Sequence, residues 1–369
     1  MRCVRAYASS ARATQYEADV HRLYLLTSRA RTGRRADDIV ADAAARTHDA
    51  RAAEVAAALR ADVCAMARAM VRADGEVGGM AAARARATAA VGHHCYVAAS
   101  GAGERAGDGL YVRGRVDMGR VVAMYPGLAY VGRAVRYMRG YPRVDVGNAY
   151  LMARSDGSVI DGKPWGRGDE GDGDESAWPG YPIRLSEEET RAADAGSFLE
   201  RLLRPTLSRA RRDALLAECE SLERANAFAY AHFANHPPKG VKPNVVVASV
   251  DVPRDPETRR FVPNVNVEPD DEDADTEDVW SILRDGERPI GERARDALVT
   301  LFGERGDRRV AKPMDASKLD GDIRSLVLVA TRDIEDGEEV LLNYRLSTHV
   351  NPPSWYHRVD AEEDARRWG

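Results

Sequence analysis

Lysine is absent from the first 100 residues, aromatic residues make up only 7% of the chain, and no two cysteines stand at CxxC spacing. The four cysteines, Cys3, Cys64, Cys95 and Cys219, are far apart. That scatter argues against a local zinc knuckle or a dense disulfide framework and reads as reduced, mostly buried thiols. No apolar run approaches the roughly 20 residues a membrane-spanning helix requires, which argues against an integral helical membrane protein. Lys+Arg number 54 against 59 Asp+Glu, a net charge of −5, so overall basicity cannot hold this chain to nucleic acid. The 369 residues, 44% of them hydrophobic, suffice for a buried core in one large domain or two modest ones.

Charge divides the chain unevenly. Residues 1–100 carry 15 Arg against 10 acids, an excess of +5 that leaves −10 for the remainder. The opening stretch, residues 1–35, begins with Arg2, Arg5 and Arg12 and no acid before Glu17. Those arginines fall near one helical face, with Val4 and Tyr7 opposite. An organelle transit peptide, mitochondrial or plastid, is one reading and a frayed terminus the other. Residues 36–73, within a helical N-terminal region spanning 36–100, read as one helix. Asp37 and Asp38 can cap its start, Val55, Leu59, Val63, Met66 and Met70 form a core stripe, and Asp74-Gly75 ends it. The Ala- and Gly-rich stretch 78–107 reads as a linker.

Beyond Gly109 the pattern turns to short strands. Residues 110–116 and 120–125 flank the turn Asp117-Met118-Gly119, and 146–153 and 158–160 flank Ser155-Asp156-Gly157 as a hairpin. Residues 245–252 and 325–331 are strong strands. Three segments interrupt them. Residues 166–176 read as a Gly/Asp-rich loop, and 186–226 as a helical insertion with Ser186 and Glu189 at capping-box spacing and Pro205 within it. Residues 268–278, with eight acids in eleven positions, read as a solvated loop or a dock for a basic substrate. The fold class is therefore α+β, mostly β beyond the helical N-terminus.

Four stretches stand out together. The first is Gly107-Asp108-Gly109-Leu110-Tyr111, followed by Gly119 to Gly127 through Tyr125-Pro126. Glycines there admit close approach of a ligand to backbone N–H groups. The second is Tyr150-Leu151-Met152, leading to Val159-Ile160-Asp161-Gly162. The third is His232-Phe233-Ala234-Asn235-His236-Pro237-Pro238, ending in Pro243-Asn244-Val245. An Asn-His pair before prolines cannot continue a helix. With no further ligand nearby, no metal site is read. The fourth is Asp336-Gly337-Glu338-Glu339-Val340-Leu341-Leu342-Asn343-Tyr344.

In this order the four resemble a SET domain, whose pattern is a GxG-L-(F/Y) opening, a YxG after the next strand, an R-F-x-N-H-S-C-x-P-N segment and a final G-E-E-L-x-x-(D/N)-Y. Within that family the chain resembles most the SET domain-containing protein 9 group, given the Val159–Gly162 hairpin, the widened gap between Asn235 and Asn244, and Asn343 before Tyr344. The likeness covers residues 105–348, with insertions at 166–225 and 253–322, followed by a tail over 349–369. It departs in Pro237-Pro238, where many members have Ser-Cys, and in lacking the cysteine-rich zinc element that often follows the domain.

The resemblance implies a SET fold of small sheets whose C-terminal segment threads beneath a loop as a pseudoknot. It implies S-adenosyl-L-methionine as cofactor and methyl transfer to a lysine amine. Gly107, Gly109, Leu110 and Tyr111 would border the methionine end. Asn235 and His236 would hold the adenine side. Tyr344 would sit by the sulfonium, and Tyr150 would line the lysine channel; these two tyrosines are the catalytic candidates. Trp355 or Tyr356 could cover the adenine or anchor the tail. The expected partner is a protein substrate with an exposed lysine, including a basic peptide, acted on by a monomer in the nucleus or cytoplasm unless the N-terminus directs it to an organelle. No direct nucleic-acid or membrane binding is expected. Two other readings stand beside this one: a SET-fold binding module without catalysis, and a methyltransferase of a small-molecule amine.

Overall fold

A computed structural model of the chain describes residues 11–70, 80–103, 106–130, 150–162, 226–254, 261–267, 322–346 and 352–368. The loop at 166–176, the helix over 186–225, the acidic run at 268–278, Cys3, Cys219 and the first ten residues lie outside the described residues. The molecule is a mixed α+β structure of small sheets, with no barrel among the described residues.

Its N-terminal part is helical: α1 (Ala11–Thr32), α2 (Ala36–Ala45), α3 (His48–Ala69) and α4 (Met80–Val91). The single helix expected over 36–73 is two helices. The chain extends at Arg46 and Thr47, and Thr47 caps α3 by accepting from the Ala50 N–H at 3.2 Å. Threonine at that position favours a helix start over a helix interior. Asp37 and Asp38 do not cap α2. They lie in its first turn, where carboxylates interact favourably with the positive end of the helix dipole. The stripe Val55, Leu59, Val63, Met66 and Met70 is buried as expected. Residues 11–32 are not a detached arginine-rich segment, since Val20, Leu23 and Tyr24 of α1 are buried and α1 packs on α3. Asp62 of α3 ties the layers together. Its Oδ1 meets Arg31 of α1 at 2.8 Å and Arg120 at 2.9 Å, and its Oδ2 accepts the Val121 N–H.

The stretch expected as a linker contains α4 and β1 (His93–Ala99). Alanine, read there as a sign of looseness, is the strongest helix former. Small Ala83 and Ala87 are fully buried. β1 pairs antiparallel with β2 (Asp108–Gly114). Asp117-Met118-Gly119 does not close a hairpin. It carries the chain to a second sheet of β3 (Val121–Tyr125), β9 (Ile323–Ala330) and β7 (Val245–Val252), in the order β3-β9-β7, all antiparallel. The last two confirm the strongest strands of the sequence. A third sheet has the order β5-β6-β4-β8, from β4 (Gly127–Tyr130), β5 (Leu151–Ala153), β6 (Val159–Asp161) and β8 (Asn264–Val267). β5 and β6 form the expected hairpin, and β4 pairs β8 in parallel. The core lies between α3 and the β3-β9-β7 sheet, where β3 and most of β9 are buried on both faces. The chain closes with α5 (Ala361–Trp368), packed on α1.

Candidate functional site

The final apolar run, Val340-Leu341-Leu342-Asn343-Tyr344, is too short to build a sheet of its own. Instead it is held from two sides. On one side the Val340 N–H donates to the Leu110 carbonyl at 2.7 Å, and the Val112 N–H donates to the Glu338 carbonyl at 3.2 Å. On the other the Leu342 N–H donates to the Asn235 carbonyl at 2.8 Å and the Asn244 N–H to the Leu341 carbonyl at 3.1 Å. Buried Asn244 adds its side chain, accepting from the Leu341 N–H and donating to the Glu339 carbonyl, both at 2.8 Å. The Asn235 side chain closes the circuit by donating to the Asp108 carbonyl at 2.8 Å. Thus the start of β2, the Asn-His bend and the terminal run are one hydrogen-bonded unit.

Three of the expected site residues face a common cavity of about 450 Å³. Asn235, His236 and Tyr344 line it, joined by Pro237 and Pro238 of the bend, Trp355 of the C-terminal segment, and Ala102, Gly103 and Ala106 of the turn between β1 and β2. That volume is in the range of small-molecule sites, and among the described residues none on its wall is acidic, Lys or Arg.

The imidazole of His236 organises the wall. Its Nδ1 accepts the Tyr344 N–H at 3.3 Å and its Nε2 lies 2.9 Å from the His357 carbonyl. Burial lowers its pKa, only partly offset by the bond to His357. Tyr356 lies against the ring at 4.6 Å, and Tyr344 at 5.5 Å. The Tyr344 phenol is pushed up to about 12, chiefly by burial, and Tyr150 is close enough to add to that shift. Tyr150 itself does not line the cavity. It sits with Tyr125 and His232: the Tyr125 hydroxyl donates to the Tyr150 carbonyl at 2.8 Å, and the His232 ring is 6.5 Å from that of Tyr150. Burial raises the Tyr125 and Tyr150 phenols too.

Gly107, Gly109, Leu110 and Tyr111 are adjacent to the cavity but do not form its wall; the turn just before them does. Gly109 faces a carboxylate of the chain itself, the far end of a side chain that a Cβ would push aside. A Cβ there would stand 2.3 Å from Glu339 Oε1. Glu339 in turn accepts from the Gly101 N–H at 2.9 Å, the Tyr111 hydroxyl at 3.3 Å and the Ser100 hydroxyl. Leu110 is a core residue. Sequence reasoning therefore missed Ala102, Gly103 and Ala106, and it missed the role of Glu339. The run Ser100-Gly101-Ala102-Gly103, small throughout, was the available signal for a tight turn.

No family model, no curated protein and no solved structure matches this chain.

Proposed function

We propose that the protein is an S-adenosyl-L-methionine-dependent protein-lysine methyltransferase with a SET fold. The observation that carries this reading is the convergence of Asn235, His236 and Tyr344, from motifs more than 100 residues apart, on one cavity. In this reading the terminal run held between β2 and the Asn235 and Asn244 segments is the threaded strand of the pseudoknot.

The wall suits the cofactor chemically. Aromatic faces of His236 and Trp355 offer stacking to a base. Neutral His236 and neutral Tyr344 place no cation opposite a sulfonium. When bound, S-adenosyl-L-methionine would supply an activated methyl: the neutral amine would bond to its carbon as the carbon–sulfur bond breaks, the thioether would leave neutral, and the methylated ammonium would carry the positive charge. The amine of free lysine has a pKa of about 10.4, so it must shed a proton to water before it can react. Burial favours that loss, and in this reading the buried Tyr125, whose hydroxyl holds the Tyr150 carbonyl, and Tyr344 stand where the amine would enter. Tyr344 is no base at neutral pH. Its phenol oxygen orients the amine and the methyl group.

Calorimetric titration with S-adenosyl-L-methionine, followed by heavy-methyl labelling of lysate proteins, tests the proposal. Heat without labelled protein would favour a methyltransferase of a small-molecule amine. Absence of binding heat would reject the methyltransferase reading. A binding module without catalysis draws on one observation: Pro237 and Pro238 remove two backbone N–H donors from the cavity wall.

A further inference from the structure

Arg345, next to Tyr344, has a conformation that the terminal motif does not explain. It is the one non-glycine residue with positive φ among the described residues, at 51°. Left-handed backbone at a residue with a side chain is unfavourable and persists only where the surroundings enforce it. Here the surroundings come from both ends of the chain. The Arg345 guanidinium meets Asp19 of α1 at 3.3 Å and, on its other side, Glu363 of α5. Side-chain exposures are 11% for Arg345, 19% for Asp19 and 8% for Glu363, so this is a covered group of charges. Exposed ion pairs contribute little, but removing one partner of a covered pair leaves a charge without compensation.

The backbone on either side of Arg345 is equally tied. The Tyr344 N–H goes to His236, the Arg345 N–H to Asn343 Oδ1 at 3.1 Å, and the Leu346 N–H to the Tyr356 hydroxyl at 3.1 Å. Three consecutive N–H groups thus have side-chain acceptors, and the guanidinium between them is gripped by two helices that pack on each other.

We propose that Arg345 is a positioning residue: clamped between Asp19 and Glu363, it fixes the turn that presents the Tyr344 phenol to the cavity. The two terminal helices are then parts of the site. The clamp is independent of the methyltransferase reading, but the catalytic use of the phenol rests on it.

The test uses the full chain labelled with carbon-13 at the tyrosine Cζ, with Tyr344→Phe to assign the resonance. Arg345→Gly removes the guanidinium while accepting the positive φ without strain. Glu363→Gln removes one carboxylate from a helix that does not line the cavity. In both variants the Tyr344 resonance should shift or broaden, that of the buried core residue Tyr230, assigned with Tyr230→Phe, should stay in place, and thermal unfolding should remain a single transition. Affinity for S-adenosyl-L-methionine should fall at least threefold in calorimetry. A Tyr344 resonance unchanged in both would overturn the proposal, as would equal shifts at Tyr230. If Arg345→Gly does not fold, Glu363→Gln decides alone. Wild-type protein that binds no S-adenosyl-L-methionine would reject the methyltransferase reading and leave the clamp to be judged on the resonances.

Discussion

The backbone N–H of Tyr344 donates to Nδ1 of His236, and the opposite ring nitrogen faces the His357 carbonyl. Together these bonds admit one form of the imidazole, neutral with its proton on Nε2. A second proton would point at the Tyr344 N–H. One uncharged ring therefore joins the Asn-His bend, the terminal run and the C-terminal segment.

Tyr344 is the first residue to test. If its phenol oxygen orients the amine, Tyr344→Phe should lower methyl transfer about a hundredfold or more, the effect of losing one well-placed polar group at a reacting centre. The ring stays, so its contacts with His236 and Trp355 persist and the melting temperature should hardly change. The checks are heavy-methyl incorporation and thermal unfolding of the same preparation. Near-normal turnover would remove Tyr344 from the mechanism.

Glu339 anchors the turn that forms one wall of the cavity. Of the groups it meets, the Gly101 N–H can only donate, while the Ser100 and Tyr111 hydroxyls can also accept. Glu339→Ala removes the acceptor from all three and frees the turn. We expect affinity for S-adenosyl-L-methionine to fall about tenfold, which corresponds to about 1.4 kcal/mol. Gly109→Ala should act in the same direction, because its Cβ would displace the same carboxylate. Calorimetry on both variants is the measurement. Unchanged affinity in the pair would mean that this turn does not shape the binding site.

The strands β7 and β9 were legible because both are rich in β-branched residues: β9 is buried on both faces over most of its length, and β7 alternates between buried and half-buried positions, a period of two that the sequence shows. Asn235, His236 and Tyr344 were legible as types in an order. Their meeting was not, because it depends on hydrogen bonds from Asn244, 97 residues away from Leu341 along the chain. Gly109 was read as room for a ligand and is room for Glu339. Spacing reveals that a Cβ is missing, but not what occupies its place. Alanine-rich 80–91 was misread for a different reason. It contains no glycine and alanine is the strongest helix former, so a helix signal was present locally, obscured by the glycines at 78, 79 and 92 on either side. Arg345 carried no local signal at all, since its partners are Asp19 and Glu363.

Asp62 makes a prediction about stability alone. Two arginines and the Val121 N–H converge on a carboxylate with 11% side-chain exposure. Asp62→Ala would leave the Arg31 guanidinium half-buried without its partner and the Val121 N–H without its acceptor. We expect a loss of about 3 kcal/mol, at the lower end for breaking a covered pair. Urea unfolding measures it. A loss below about 1 kcal/mol would show that water replaces the carboxylate without cost.

Three histidines predict how stability responds to acid. Burial lowers His93 and His236, and burial with the nearby Arg84 and Arg113 lowers His94 to about 4. In the unfolded chain each would titrate near about 6.5. Between these values the unfolded state binds more protons than the folded one, so stability rises with pH across that window. The histidine contribution is complete above about 6.5 and is lost as the pH falls from there towards about 4. Lowered carboxylates such as Asp156 and Glu338 respond below their ordinary values of 3.8 and 4.5, so the two effects separate. The melting temperature should therefore decline from pH 7 to pH 5. His94→Gln should flatten that decline, since it removes one of the three titrating rings. A midpoint constant over this range would contradict the assignment, as would an unaltered slope in the variant.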